Sequence, residues 1–352
     1  MYPRVTINLE KLKHNTEVVA EACSKHDIKI MGVTKSFCAV PEAAKAMVEG
    51  GVKFLADSRV ENLKKLGHLD ALKVLLRLPM KSQAEAVVKY ADISLNSELE
   101  TIKALGLAAV KQNKVHNIVL MVDLGDLREG FLPTDIESAV NAILSVEGIN
   151  LYGLGVNLTC YGGVVPDDKN LGQLCDLAEM IESKFELKLE MITGGNSSSF
   201  YMLDKGTMPS KVNNLRMGEI IVLGRETAYG NALEGTHDDA FKLQAEIVEL
   251  KTKGSMPIGE IGMDAFGNTP TFEDKGMILR AIAAVGRQDV NPDDLIPLDE
   301  GIEILGSSSD HLLMNMSGAH NTYKVGDIVE FKLEYGSLLS LTTSEYIEKV
   351  CE

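Results

Sequence analysis

The sequence predicts an α/β fold: a (β/α)8 TIM-like barrel with a C-terminal antiparallel β domain. Three observations carry that expectation. The leading two-thirds of the chain alternate between short β-branched runs and amphipathic helical stretches, and eight such runs match the strand count of a closed parallel barrel. The runs are almost continuously apolar, as strands must be when both faces of a parallel sheet are covered. After about Gly230 the texture changes to short runs punctuated by Gly, Pro and Asp, which is how short antiparallel strands read. An open doubly wound sheet would need fewer strands and a glycine-rich first turn, whereas the first run here leads into Lys35-Ser-Phe-Cys.

Taken in order, the opening residues read as a strand leading into a helix, and residues 1–8 are expected to join the β domain. Barrel strands are expected at Ile28–Thr34, Lys53–Ala56, Lys73–Leu76, Asp92–Leu95, His116–Asp123, Leu151–Val156, Leu189–Thr193 and Asn214–Leu223. Helical stretches lie between them at Pro41–Gly50, Lys81–Tyr90, Ser97–Gln112, Thr134–Val146 and Asn170–Lys184. The barrel domain is expected over 9–228 and the β domain over 229–352. Strands of the latter are Lys242–Thr252, Ile282–Val285, Ile302–Leu305, Leu312–Ser317 and Asp327–Leu333.

Composition narrows the class of function. A chain of 352 residues exceeds what one core usually serves, and 45% hydrophobic with 24% charged residues is ordinary for a globular protein. No apolar run approaches the roughly 20 residues that span a bilayer, and the start lacks a basic-then-apolar leader. Five cysteines without metal-type spacing read as free thiols of a reducing cytoplasm. Seven histidines form no HxxxH or HExxH group, so no metal site is expected. The net charge of −16 argues against nucleic-acid and anionic-membrane partners and mildly favours a cationic substrate, though acidic surfaces are common.

In such a barrel, residues at the ends of strands point into the site at the C-terminal face. Lys35 follows the first strand, where poor solvation favours the neutral amine that attacks carbonyls. Taken singly, it reads equally as a lysine that caps a strand and points to solvent. The run Gly194–Ser199 ends the seventh strand and offers backbone N–H groups and hydroxyls suited to an anion such as phosphate, or else forms an ordinary turn. Arg216, beside Gly218 on the eighth strand, is either a charge aimed at the barrel mouth or a structural ion pair.

Together these residues resemble the pyridoxal-phosphate (PLP) site of the alanine racemase family, fold type III. Gly32-Val-Thr-Lys35 is similar to the family's cofactor lysine segment, Val122-Asp123-Leu-Gly125-Asp-Leu-Arg128-Glu-Gly130 to its Asp-Thr-Gly-Met-x-Arg-x-Gly, Asn196-Ser197 to its Asn-Ser, and Leu215-Arg216-Met-Gly218 to its Val-Arg-x-Gly. In the β domain, Gly259-Glu260-Ile-Gly-Met-Asp264 and Ser309-Asp310-His311 resemble further family segments. The pattern covers essentially the whole chain and is most similar to the family's bacterial branch acting on ornithine.

The resemblance implies that Lys35 carries PLP, that Gly195, Asn196, Ser197, Gly218 and Tyr346 hold its phosphate end, and that Arg216, Arg128 and Asn157 contact its ring. It implies a head-to-tail homodimer, because the second base comes from the partner's β domain in this family. Asp264 stands where the family has that tyrosine, with Asp310 and His311 as the alternatives nearby, or else it merely caps a turn. A carboxyl with an ordinary pKa of about 3.9 would need burial to raise it. Met121, Ala39 and Asn157 replace a lysine, a tyrosine and a histidine of the family pattern, so a longer side chain fits. Asp126, Glu129, Ser309, Asp310 and His311 are the candidates for binding the substrate, whose distal ammonium the acids would pair. The expected activity is therefore racemisation of a free amino acid, a dibasic one such as ornithine, with lysine, alanine or serine as alternatives. Two rivals stand beside it: a D-threonine-aldolase-like lyase, needing a metal near Asp310 and His311, and a non-catalytic PLP carrier, which would lack the β domain.

Overall fold

The computed structural model describes residues 1–352. They fall into two compact units, Leu9–His237 and a second one made of Met1–Asn8 with Asp238–Glu352.

The larger unit is a closed barrel of eight parallel strands: β2 (Lys29–Val33), β3 (Phe54–Asp57), β4 (Leu72–Leu75), β5 (Ile93–Asn96), β6 (His116–Val122), β7 (Ile149–Val156), β8 (Met191–Asn196) and β9 (Asn214–Met217). β2 closes it, with Gly32 opposite Leu55 on one side and Met217 on the other. Alternate residues point inward, so Met31, Val33, Phe54, Ala56, Val74 and Ile93 belong to one buried cluster. The intervening residue Leu75 instead meets Leu63, Val87 and Leu105 of the covering helices. Gly153 is needed where β7 passes β8, since a Cβ there would lie 1.9 Å from the Met191 carbonyl oxygen. Helix α7 (Asp168–Phe185) starts at a capping box: Asp167 accepts from Asn170 N at 2.8 Å, and the Asn170 side chain accepts from Asp167 N at 2.9 Å.

Two expectations are corrected here. The last barrel strand stops at Met217, and Glu219–Leu223, expected to continue it, forms a short buried helix. A run apolar on every side fits either element, so periodicity could not separate them. The second unit resumes at Asp238 rather than 229, because residues up to His237 are tied to the barrel: His237 N donates to Asn15 Oδ1 at 2.7 Å, and Asn15 Nδ2 donates back to its carbonyl at 2.8 Å.

The smaller unit holds β1 (Arg4–Ile7), β10 (Phe241–Gly254), β11 (Met277–Ala283), β12 (Leu295–Pro297), β13 (Glu303–Ser307), β14 (Leu312–Asn315), β15 (Ile328–Leu333) and β16 (Glu348–Cys351). Its main path runs β12-β15-β10-β11-β14-β13, antiparallel throughout. The sequence reading missed two features: β1 pairs parallel with β16, and a helix spans Tyr335–Thr343. No helix in the protein is long and apolar enough to cross a membrane.

Candidate active site

Lys35 opens a single 3-10 turn, Lys35–Phe37, directly after β2. It is inward by alternation with Met31 and Val33, and largely buried. Its Nζ has no hydrogen-bond or ion-pair partner. Burial lowers its pKa; the Cys160 thiol and Asp57 act against that, while Arg128 and Arg216 add to it. An amine held this way is biased towards the neutral, nucleophilic form.

Arg216 lies on the strand next to β2, with Met31 opposite it in register. Its guanidinium is buried, and burial brings its pKa down to about 10, so it stays cationic near neutrality. Nη1 donates to Thr193 Oγ1 at 2.8 Å, and Nη2 to the Val156 carbonyl at 2.7 Å. No carboxylate touches it.

The run Gly194–Ser199 ends β8, the strand paired with β9, and enters a 3-10 turn. Gly195 takes φ +111, which an L side chain rarely adopts, and a Cβ there would press on Ser199 Oγ at 2.5 Å. Asn196 locks the turn by accepting from Ser198 N at 2.9 Å and donating to the Leu158 carbonyl at 3.0 Å. Ser197 Oγ accepts from Gly218 N at 3.4 Å and Ile220 N at 3.3 Å. With both lone pairs engaged, its hydroxyl proton remains to be donated. Ser198 Oγ is buried without any partner.

Arg128 is ion-paired with Glu129, whose hydrogen bond raises the guanidinium's pKa further. Asn157 lies between the two arginines: one orientation of its amide accepts from Arg216 Nη2 at 3.3 Å, and the reverse accepts from Arg128 at 3.2 and 3.3 Å. Cys160 Sγ lies 3.5 Å from both Asn157 Oδ1 and Asn196 Nδ2. Lys35, Arg128 and Arg216 thus act on one another at the strand ends of a chain of net charge −16.

The donor set fits an anionic aldehyde such as PLP: a partnerless amine, a hydroxyl with a free proton, an orphaned buried Ser198 Oγ, and a guanidinium fixed inside the ring of strands. Lys35, Arg128, Asn157, Gly195, Asn196, Ser197, Arg216 and Gly218 are all brought to the strand ends of one unit; Gly218 abuts Val33, to which its Cβ would be 3.2 Å away.

Several other candidates behave differently. Asp126 was expected to meet substrate, but it is buried and accepts from Tyr161 N at 3.0 Å and Val164 N at 3.3 Å, so it ties down a loop. Glu129 is engaged by Arg128. Asp264, Ser309, Asp310, His311 and Tyr346 belong to the other unit and are exposed on it. Asp264 caps a turn, accepting from Asn268 N at 2.8 Å and Phe266 N at 2.9 Å. Those bonds hold its carboxyl below the usual range, opposite to the raised value expected of it. Sequence reasoning read Asp57 at the end of the second strand without giving it a role and passed over Cys160; both act electrostatically on Lys35. Their signal was position alone, just after inward-facing strand ends.

A parallel barrel with amine, anion turn and guanidinium at its C-terminal strand ends defines a barrel enzyme whose chemistry sits on those loops. The chain belongs to the alanine racemase family: the family's N-terminal domain matches residues 7–226. It is 51% identical, over 99% of both chains, to an ornithine racemase of Acetoanaerobium sticklandii. It is 37% identical to a lysine racemase of Thermotoga maritima, covering 100% of this chain and 99% of that one. Among solved structures, an alanine racemase from Bartonella henselae with covalently bound pyridoxal phosphate superposes with a TM-score of 0.73 at 15% identity, over 99% of each chain.

Proposed function

We propose that this protein is a PLP-dependent racemase interconverting L- and D-ornithine. The observation that carries the chemistry is Lys35, an inward amine without a partner, next to Arg216 and the Ser197 turn. The substrate assignment rests on the 51% identity with the ornithine racemase, and the lysine racemase likeness points to dibasic substrates as well.

When bound, PLP would supply an electron sink that stabilises negative charge at the substrate's α-carbon. Lys35 would hold it by condensing with its aldehyde, one water leaving, and would then move the α-proton on one face. Ser197 would donate its free hydroxyl proton to the phosphate, together with the Gly218 and Ile220 N–H groups now turned towards Ser197. Arg216, buried and always charged, would donate to the pyridine nitrogen, keep it unprotonated and so restrain side reactions of an over-stabilised carbanion. Arg128 and Asn157 would bound the ring's other edge.

Racemisation needs a second acid–base group on the opposite face. We assign it to Asp264 from a second copy in a head-to-tail homodimer, where burial would lift its carboxyl from the depressed state of the isolated chain. Supporting that assembly, the segment bearing Asp264 exposes Ile258, Met263, Phe266 and Phe272. Asp310 remains the acid available for a distal ammonium. The five free thiols fit a cytoplasmic location.

The purified protein should be yellow, and borohydride should fix the cofactor on Lys35. Protein that stays colourless with added PLP defeats the assignment. In D2O, α-proton exchange should be faster for L-ornithine than for L-lysine or L-alanine; fastest exchange with alanine overturns the ornithine preference.

A further inference from the structure

Asp57 ends β3 with no exposed surface. Its Oδ2 accepts from Thr34 Oγ1 at 2.7 Å, and its Oδ1 from Arg59 N at 2.9 Å and Asn62 Nδ2 at 3.1 Å. Oδ1 meets only donors, as a carboxylate oxygen should, while burial pushes the carboxyl's pKa up and the surrounding hydrogen bonds pull it back. The network continues outward. Asn62 Oδ1 accepts from Lys65 Nζ at 2.9 Å, and the same ammonium donates to the Cys38 carbonyl at 3.0 Å.

Thr34 and Cys38 bracket the turn that presents Lys35. That turn is not relaxed: Cys38 and Ala39 take φ 50 and 52, left-handed for residues with a Cβ, at a cost of roughly 1 kcal/mol each. Backbone bonds Ala39 N to Thr34 O at 3.1 Å and Cys38 N to Lys35 O at 3.3 Å close it, and Thr34 N donates to the Ala56 carbonyl of β3 at 2.8 Å. Strained turns persist where surrounding contacts over-determine them.

We propose that Asp57 is a positioning residue for Lys35, holding the lysine's turn at both ends: directly through Thr34, and through Asn62 and Lys65 to Cys38. An amide at 57 would face Thr34 Oγ1 with a donor in place of an acceptor, reversing that bond, so it does not reproduce the network. The charge has a second use, because it faces the Lys35 ammonium among Cys160, Arg128 and Arg216. It opposes part of what the two arginines do to Lys35, alongside the larger contribution of Cys160. The inference rests on the reading of Lys35 as the cofactor lysine.

The test compares Asp57→Asn, Thr34→Val, Thr34→Ser and Lys65→Met with wild type, as full-length proteins freed of cofactor. The rate of PLP attachment, followed by absorbance, is measured against pH, with thermal melting as a check on folding. Asp57→Asn should move the pH midpoint of attachment downwards, since the ammonium loses a favourable charge. It should also lower turnover by on the order of tenfold to a hundredfold through misplacement of the amine. Thr34→Val should share the turnover loss, Thr34→Ser should restore it, and Lys65→Met should lose less. Should Asp57→Asn not fold, the Thr34 pair and Lys65→Met decide the matter by turnover alone. Folded variants with wild-type midpoint and turnover overturn the inference while leaving Lys35's role intact. A wild type that takes up no PLP overturns the reading beneath it.

Discussion

Replacing Lys35 by Met should make the cofactor-free protein more stable. The ammonium has given up much of its water and gained no hydrogen bond, and Arg128 and Arg216 repel it. A buried donor left unmade costs about 1–3 kcal/mol, and because Lys35 keeps some exposure the lower end applies, about 1 kcal/mol. Met keeps the apolar contacts of the lysine stem while removing the charge. For a unit of this size, 1 kcal/mol corresponds to roughly 2–4 °C in Tm. The effect has a defined pH dependence. Lys35's pKa is lowered in the folded state from 10.5, so between the two values the unfolded chain binds more protons and wild-type stability rises with pH. The advantage of the variant should therefore be largest on the acid side and disappear as pH approaches the unfolded value. Thermal melts of both proteins, at about pH 7 and about pH 10, measure this. A variant melting at or below wild type near neutrality would refute the claim that Lys35 is held at a cost.

Further outcomes follow from the same geometry. Gly130→Ala should weaken the loop carrying Arg128, because the new Cβ would sit 2.2 Å from Asp123 N at φ +142. The loss, about 2–4 kcal/mol from backbone strain and a broken bridge to Phe131, would show as faster amide exchange over 123–131, and wild-type exchange would contradict it. Ser197→Ala should weaken PLP about tenfold, for roughly 1.4 kcal/mol of lost hydrogen bonding, yet leave unphosphorylated pyridoxal unaffected; equal losses for both would remove Ser197 from the phosphate site. Asp264→Asn should abolish racemisation and keep the yellow colour, whereas retained turnover would exclude it as second base. Because the carboxyl is depressed from 3.8, its contribution to stability is present above that value and fades as pH falls through the folded pKa, a fading the Asn variant should lack.

The barrel was legible because parallel strands covered on both faces must be apolar throughout, and the eight runs stand out between helices whose apolar residues recur at a different period. Lys35, Ser197 and Arg216 were legible for a related reason: charged or hydroxyl residues directly beyond apolar strands point to the barrel mouth. The same logic failed at Asn214–Leu223, where nothing in the pattern marks the change from strand to helix at Gly218. It failed again at Asp126, read as a free acid at the mouth, since which acids are spent on backbone N–H groups depends on how loops such as 161–164 return. Asp57 was invisible as a working residue because its partners come from Thr34, Arg59 and Asn62, a grouping only the fold creates. Helix Tyr335–Thr343 was hidden by its nearly all-round apolar and hydroxyl surface.

The split make-up of the smaller unit constrains how the chain reaches its native state. Strand Arg4–Ile7 lies between Phe241–Gly254 and Glu348–Cys351, so neither neighbour exists when it leaves the ribosome. At synthesis rates of about 5–20 residues per second, it waits on the order of ten seconds or more with both edges bare. The barrel between them can close during that interval, so this strand finds its place only after residues made well over two hundred positions later.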